Sequence, residues 1–426
     1  MSSETRFRAP RGMRDVLPEE IPAWERLEEV AERLSRLRGF REIRPPVVEE
    51  TDLFTRSVGE VTDIVEKEMF TLVKGEHSFT LRPEGTAGVM RAYLQAGYDK
   101  RAPVQKLYYT GPMFRYERPQ KGRERQFTQF DVECLGSLDP RLDAEVIRLA
   151  VSFFEELGVT GLEVRLNSMG DGADRDAYRE AVTAYLREHF DGLSELSRAR
   201  LERNVLRVLD SKDPGDIAIV AGAPKLIDFL SDENREHFET VLACLEQLGC
   251  KAVVDSGIVR GMDYYTRTVF EVHAPSLGAR SAVCGGGRYD HLMKELGGPD
   301  LGAVGFAVGF SATLLVLKEL GLLEELEEEV PDVFVVGADP SCDRDVLVLA
   351  EELRSAGISA LYDCEGRSLK SQMKVAGRGK HRAAVILGPD ELERGVCQLK
   401  DLGRSEQREV SRADLRAELE RLLGST

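Results

Sequence analysis

The chain has 426 residues, 42% apolar and 31% charged, which exceeds one ordinary core and excludes the disordered and membrane-embedded classes. Lys and Arg number 58 against 75 Asp and Glu, a net charge of −17 that repels a polyanion at long range, so any nucleic-acid contact must be local. Seven scattered cysteines without a Cys-x-x-Cys pair, and six histidines without ligand spacing, argue against a disulfide framework and against a bound metal.

Pro18 to Arg38 places Trp24, Leu27, Val30, Ala31, Leu34 and Leu37 at spacings of three and four, which predicts an amphipathic helix closed by Gly39. Phe40 to Val48 reads as a strand through Ile43, and Pro45 and Pro46 make it an edge or boundary strand near an interface. Strand-like stretches follow at Met69–Leu72, Ser78–Leu81, Val104–Phe114 and Arg125–Cys134. In the last of these Phe130, Val132 and Cys134 alternate with polar residues. The polar loop Glu117–Glu124 joins it to its predecessor, so a long antiparallel hairpin is predicted.

Asp171 to Leu248 is helical and charged, with Ala177–Phe190, Leu193–Leu209 and Asn234–Leu248 near helix period, and reads as an inserted helical domain. Strand signals resume at Val253–Val259, Thr268–Val272 and Ala282–Cys284, and the Gly-rich run Gly302–Gly309 leads into a helix over Ser311–Leu320. Taken alone, Gly285 to Gly287 reads as a tight turn and the Tyr264-Tyr265 pair as the start of a core strand. Past an acidic link, Leu322–Glu329, strand and helix patterns alternate at Asp332–Val336, Val346–Ala356, Ala360–Tyr362, Leu369–Val375 and Ala383–Leu387. That alternation indicates a small α/β domain with a largely parallel sheet.

Two basic stripes interrupt the acidic background. Arg115 to Arg125 carries five basic residues against two acidic, and Arg367, Lys370, Lys374, Arg378, Lys380 and Arg382 follow one another with no acid between them. Such stripes suit a polyanion that must bind and leave, or are solvated charged faces. The N-terminal segment lacks an apolar signal core and no uncharged apolar run is long enough to span a bilayer, so a cytoplasmic protein without a membrane partner is expected.

On the predicted hairpin, arginines at a strand end can fork onto phosphate oxygens, and Phe127 on the return strand can stack a base. A salt-bridged surface hairpin is the plainer alternative. The run Arg115-x-Glu117-Arg118-Pro119-Gln120-Lys121-Gly122-Arg123, continued by Gln126-Phe127-x-Gln129, resembles motif 2 of class II aminoacyl-tRNA synthetases, and the histidyl subgroup in particular. Gly12-Met13-Arg14-Asp15, Thr80-Leu81-Arg82-Pro83-Glu84-Gly85-Thr86, Val208-Leu209-Asp210-Ser211-Lys212 and Ser368-Leu369-Lys370-Ser371-Gln372 resemble the same family. Val259-Arg260-Gly261-Met262-Asp263-Tyr264-Tyr265 and Cys284-Gly285-Gly286-Gly287-Arg288-Tyr289-Asp290 resemble its two histidine signatures.

The resemblance implies an α+β fold: a class II antiparallel sheet flanked by helices, with a helical insertion and a C-terminal α/β domain that reads the anticodon. The expected boundaries are 1–170 and 253–325 for the two parts of the catalytic core, 171–252 for the insertion and 331–426 for the C-terminal domain. It also implies a homodimeric ATP-dependent ligase that activates L-histidine to histidyl-adenylate and transfers it to tRNA(His), with Mg2+ arriving on ATP. Arg115 and Arg260 would clamp the α-phosphate as the catalytic pair, while Phe127 stacks on adenine and Glu117 meets its amino edge. Glu84, Thr86 and Gln129 would hold the α-amino group, Glu133 and Tyr265 the imidazole, with Tyr289 lining the pocket. Arg118, Gln120 and Lys121 would meet the tRNA acceptor end.

One motif departs from the family. Motif 3 ends Gly-φ-Gly-φ-Glu-Arg, φ being apolar, whereas Gly305-Phe306-Ala307-Val308-Gly309-Phe310-Ser311-Ala312 puts serine and alanine in the places of Glu and Arg. Alanine neither stacks on a base nor pairs with phosphate, and Arg288 and Lys318 are the candidate replacements. The departure keeps open an alternative of another class, a catalytically inactive synthetase-like paralogue that binds histidine and regulates a partner enzyme. Such regulators typically lack the first histidine signature and the anticodon-binding domain, both of which this chain carries.

Overall fold

A computed structural model describes residues 7–58, 64–119, 122–203, 205–209, 211–258, 264–275, 282–323 and 330–424. Two compact units divide the chain at Leu326/Glu327, and the helical stretch over 171–252 belongs to the first.

The first unit is built on an eight-stranded sheet, ordered β1-β5-β6-β11-β10-β9-β7-β8. Its strands are β1 (Arg41–Glu42), β5 (Gln105–Phe114), β6 (Gln126–Leu135), β7 (Glu163–Ser168), β8 (Ala252–Val254), β9 (Thr266–His273), β10 (Ala282–Arg288) and β11 (Ala303–Gly309). The six central strands are antiparallel, and only the flanking β1 and β8 pair in parallel. A small antiparallel sheet of β2 (Val48–Glu50), β3 (Phe70–Lys74) and β4 (His77–Leu81) lies beside it in sequence. The prolines at 45 and 46 separate β1 from β2, because neither can donate to a ladder, and the single strand expected over 40–48 becomes two short ones.

One face of the large sheet is covered by helices. The predicted first helix forms over Ile21–Leu37, burying Trp24, Leu27, Val30, Ala31 and Leu34 but leaving Leu37 exposed. It ends at Gly39, whose φ of +76° lets Phe40 N–H return to the Ser35 carbonyl. Helix Pro140–Glu156 packs in the same core with helix Asp232–Gln247 and helix Phe310–Glu319. A second core on the opposite face gathers Val89, Met90 and Tyr93 of helix Thr86–Gln95 around Tyr109, Tyr264, Tyr265 and Tyr289.

The helical stretch expected over 193–209 is broken into a short helix, Glu195–Arg203, and a 3-10 turn, Val205–Val208. The Asp216 carboxylate organises that region by accepting from the hydroxyls of Ser194, Ser197 and Ser211 at 2.7, 2.6 and 2.5 Å. Gly285 to Gly287 do not form a turn. They lie inside β10, paired to both β9 and β11.

The second unit has a five-stranded sheet ordered β13-β12-β14-β15-β16, from β12 (Val333–Gly337), β13 (Ala360–Tyr362), β14 (Ala383–Leu387), β15 (Val396–Asp401) and β16 (Glu406–Ser411). The first three strands are parallel, as the alternating pattern predicts, and β15 and β16 add an antiparallel hairpin that the pattern did not signal. Lys370, Lys374 and Arg378 recur every fourth residue on helix Leu369–Arg378, forming one exposed stripe. The flanking Arg367 and Arg382 are instead tied to Asp363 at 2.7 Å and to the Leu423 carbonyl at 2.7 Å.

Candidate active site

The middle of the large sheet is where β6 decides the chemistry. Phe130, Val132 and Cys134 enter the helical core, so the period-two pleat sends Phe127, Gln129, Asp131 and Glu133 to the other face. Their neighbours on β11 are small. Gln129 pairs with Gly111 and Gly309, Asp131 with Ala307, and Glu133 with Gly305, while Gly305 in turn pairs with Gly287. A Cβ at Gly305 would stand 2.6 Å from the Tyr289 hydroxyl and crowd Glu133 Oε2, and one at Gly287 would lie 2.9 Å from Tyr265. Glycine is what allows a carboxylate and two tyrosines to converge over these strands.

The Glu84-Gly85-Thr86 turn closes one side of this trough. Glu84 accepts from the backbone N–H groups of Thr86 and Ala87 at 2.7 and 3.0 Å, at the positive end of helix Thr86–Gln95. Thr86 Oγ1 donates to Glu133 Oε1 at 2.7 Å. Tyr264, Tyr265 and Tyr289 form the opposite wall, their ring centroids 4.9 to 6.4 Å apart.

Glu84, Asp131 and Glu133 are all buried. Burial pushes Glu84 above the ordinary carboxylate range, although its two backbone donors and Arg115 oppose the shift. Burial pushes Asp131 and Glu133 well above it, and the neighbouring Glu84 charge adds to both. Asp131 Oδ2, Glu133 Oε2 and the hydroxyls of Tyr109 and Tyr289 are buried without a well-formed hydrogen bond among the described residues, although the Tyr109 hydroxyl stands close enough to both carboxylates to favour their ionised forms. Each such atom costs about 1–3 kcal/mol unless a ligand completes it, so the trough suits a small cationic molecule rich in N–H donors.

At the open end of β5 and β6 the character changes. Arg115 is held by its own Nε, which donates to the Pro83 carbonyl at 2.7 Å, and its guanidinium carbon lies 5.4 Å from the Phe127 ring centroid. Glu117 stands between Arg115 and Arg123, 3.9 and 3.7 Å from their guanidinium nitrogens. A planar ring, a fixed cation and a carboxylate at one hairpin end match a purine nucleotide.

The family model for histidyl-tRNA synthetase matches residues 12–313, and a model for an anticodon binding domain matches residues 332–422. A histidine–tRNA ligase of Thermosynechococcus vestitus is 46% identical over 413 residues, covering 97% of this chain and 96% of that protein. One of Prosthecochloris aestuarii is 48% identical over 416 residues, covering 97% and 99%. The apo histidyl-tRNA synthetase of S. aureus superposes with a TM-score of 0.81 at 34% identity, over 97% of this chain and 99% of that one. The chain belongs to the histidyl-tRNA synthetase family.

Against the family pattern, the structure brings Glu84, Thr86, Glu133, Tyr265 and Tyr289 together around one trough, with Gln129 on the same face of β6 and Arg115, Glu117 and Phe127 at its nucleotide-like end. Arg118 is exposed on the hairpin loop. Arg260, Gln120 and Lys121 lie outside the described residues.

Arg288 is not available to replace the motif 3 arginine. It is fully buried on the helical side, where it donates to Asp143 and Asp290 at 2.8 Å each and to the Ser137 and Asp139 carbonyls. Lys318 lies six residues beyond Ala312 on the same helix, about 9 Å along its axis. Sequence reasoning missed Asp131 and Tyr109, which face each other across β5 and β6. The signal was present, since Gln129, Asp131 and Glu133 recur with the same period of two that marks the buried Phe130, Val132 and Cys134.

Proposed function

We propose that this family member condenses L-histidine with ATP and transfers the histidyl group to tRNA(His). In the first step a histidine carboxylate oxygen attacks the α-phosphorus of ATP, the bond to the bridging oxygen breaks, and pyrophosphate leaves with histidyl-adenylate formed. In the second, the terminal ribose hydroxyl of the tRNA attacks the activated carbonyl and AMP departs.

The observation that carries this reading is the set of buried carboxylates Glu84, Asp131 and Glu133 beside three tyrosines, with Asp131 Oδ2 and Glu133 Oε2 unpaired among the described residues. Glu84, Thr86 and Gln129 hold the α-ammonium in this assignment, and Glu133 and Tyr265 read the imidazole with Tyr289 beside them. Arg115 and Arg260 neutralise the α-phosphate, Phe127 stacks on adenine, and Glu117 accepts from its amino group. ATP enters as its magnesium complex, the ion being part of the substrate. A pocket that hydrogen-bonds its substrate rejects apolar look-alikes strongly, so selectivity needs no second hydrolytic site.

The same reading assigns 1–170 and 253–325 to the catalytic body, 171–252 to a grip on the acceptor stem and 331–426 to the anticodon, with the Lys370-Lys374-Arg378 stripe as its electrostatic contact. Arg118, Gln120 and Lys121 meet the acceptor end. A homodimer is supported by Val48 and Leu72, which are 42% and 58% exposed on one face of the small sheet. No helix among the described residues is long and apolar enough to cross a membrane; the proposed location is the cytoplasm.

Histidine-dependent exchange of pyrophosphate into ATP, followed by charging of tRNA(His), tests the proposal. Exchange and charging are expected. Histidine binding without exchange would replace the enzyme by a regulatory paralogue.

A further inference from the structure

The serine of the altered motif 3 has a partner. Ser311 Oγ, in the first turn of helix Phe310–Glu319, donates to Glu124 Oε2 at 2.9 Å. The other oxygen of that carboxylate accepts from Arg14 Nε at 3.0 Å. Glu124 therefore joins three elements distant in sequence: the N-terminal segment, the return leg of the hairpin loop and the helix that follows β11.

The surrounding contacts converge on the same place. Arg14 Nη1 donates to Glu20 at 2.7 Å, and its guanidinium carbon lies 6.0 Å from the Trp24 ring. Trp24 packs on Phe310, the residue before Ser311, with ring centroids 5.8 Å apart. Arg125 N–H donates to the Gly12 carbonyl at 2.6 Å, and a Cβ at Gly122 would meet Leu315 at 3.4 Å. Glu124 is only 23% exposed in its side chain and Arg14 36%, so the bridge is partly shielded from solvent.

We propose that Glu124 is a positioning residue for ATP: it latches the hairpin loop onto Ser311 and so fixes Phe127, three residues further on, and Arg115, whose backbone N–H donates to the Arg125 carbonyl and whose guanidinium lies against the Phe127 ring. This rests on the reading of the hairpin end as the ATP site. The latch also gives a reason for serine at 311 in this chain. An acidic residue there would set a second carboxylate against Glu124, and two like charges at hydrogen-bond range disfavour each other. Positions 124 and 311 are thus coupled: a glutamate is accommodated at one of them, with a neutral donor at the other.

The test uses the full-length chain and two readouts, the KM for ATP and for histidine in pyrophosphate exchange, and hydrogen–deuterium exchange of residues 116–127. E124A and S311A should each raise the KM for ATP about tenfold, leave that for histidine unchanged and accelerate amide exchange in the loop. The double variant should be no worse than either single one. S311E should match or exceed the single losses, and S311E/E124Q should recover most of them by restoring a donor–acceptor pair. Additive losses in E124A/S311A, or no rescue by E124Q, overturns the latch. A native chain without pyrophosphate exchange refutes the ATP reading separately, and unchanged amide exchange in E124A and S311A then refutes the latch by itself.

Discussion

Thr86 Oγ1 donates to Glu133 Oε1 at 2.7 Å, tying the first turn of helix Thr86–Gln95 to the centre of β6 and leaving Glu133 Oε2 for a ligand. E133Q preserves the volume and keeps an acceptor toward Thr86, but places an amide donor where the imidazole N–H would arrive. The KM for histidine should rise roughly 10- to 100-fold, the equivalent of about 1.5–3 kcal/mol for a hydrogen bond to a charged group. The KM for ATP should hold. An equal rise in both would place Glu133 outside histidine recognition.

Histidine binding should release protons. Burial holds Glu84 above the ordinary carboxylate range and Asp131 and Glu133 well above it, and an ammonium brought beside them favours their ionised forms. Titration calorimetry across the pH range above the ordinary carboxylate pKa, in buffers of different ionisation enthalpy, should show net release by the native chain and less by D131N. The stability of the free protein carries the same sign. Raised folded-state pKa values mean that the folded chain binds more protons than the unfolded one, so their contribution is present below the ordinary carboxylate pKa and is lost as pH rises through the raised values. Saturating histidine should flatten that slope in melting curves, and net proton uptake on binding would contradict the assignment.

The parts of the site legible in sequence were those written as contiguous motifs. Arg115, Glu117 and Phe127 sit where the hairpin pattern put them, because turn residues between two alternating strands determine register locally. Taken alone the glycines of β10 read as a turn, because what requires them is non-local: a Cβ at Gly286 would strike Gly305 and Phe306 of β11, and one at Gly287 would strike Tyr265 and β9. Arg288 failed as an ATP ligand for the same kind of reason: its partner Asp143 lies 145 positions away. Helices Thr86–Gln95 and Pro140–Glu156 raised no expectation at all, the first being buried over much of its surface and weak in period. The hairpin of β15 and β16 was hidden by polar residues on an exposed edge strand, which blur the alternation.

Behind the site, Asp143 holds the sheet to the helices. It accepts from Arg288 at 2.8 Å, Thr268 at 2.7 Å and His237 at 2.8 Å, all buried. Burial opposes its ionisation, yet Arg288 and His237 outweigh that and hold it below the usual range. D143N would leave the Arg288 guanidinium buried beside a neutral amide, with Asp290 as its remaining counter-charge. A loss of about 3–5 kcal/mol in denaturant unfolding is expected, larger than for H237A. Because the folded pKa is depressed, the Asp143 contribution is present above the ordinary carboxylate pKa and disappears as pH falls through the depressed value. A loss below that of H237A would show that Asp143 is not the hub.

Ala312 is exposed one residue beyond the Ser311 contact, at the foot of the hairpin that carries Phe127. Arg288 is committed to Asp143 and Asp290 and so does not supply the planar cation that the family's motif 3 carries at this position. A312R adds that cation while retaining serine at 311, so the Glu124 bridge is undisturbed. A charge-assisted contact to phosphate is worth about 1.5–3 kcal/mol, which converts to a fall of roughly tenfold or more in the KM for ATP. A312K should recover less, because an ammonium lacks the two-pronged geometry that matches phosphate oxygens. If A312R leaves the KM for ATP unchanged in a chain that performs exchange, another cation already neutralises the phosphate, and Arg123 beside Glu117 is the first to remove.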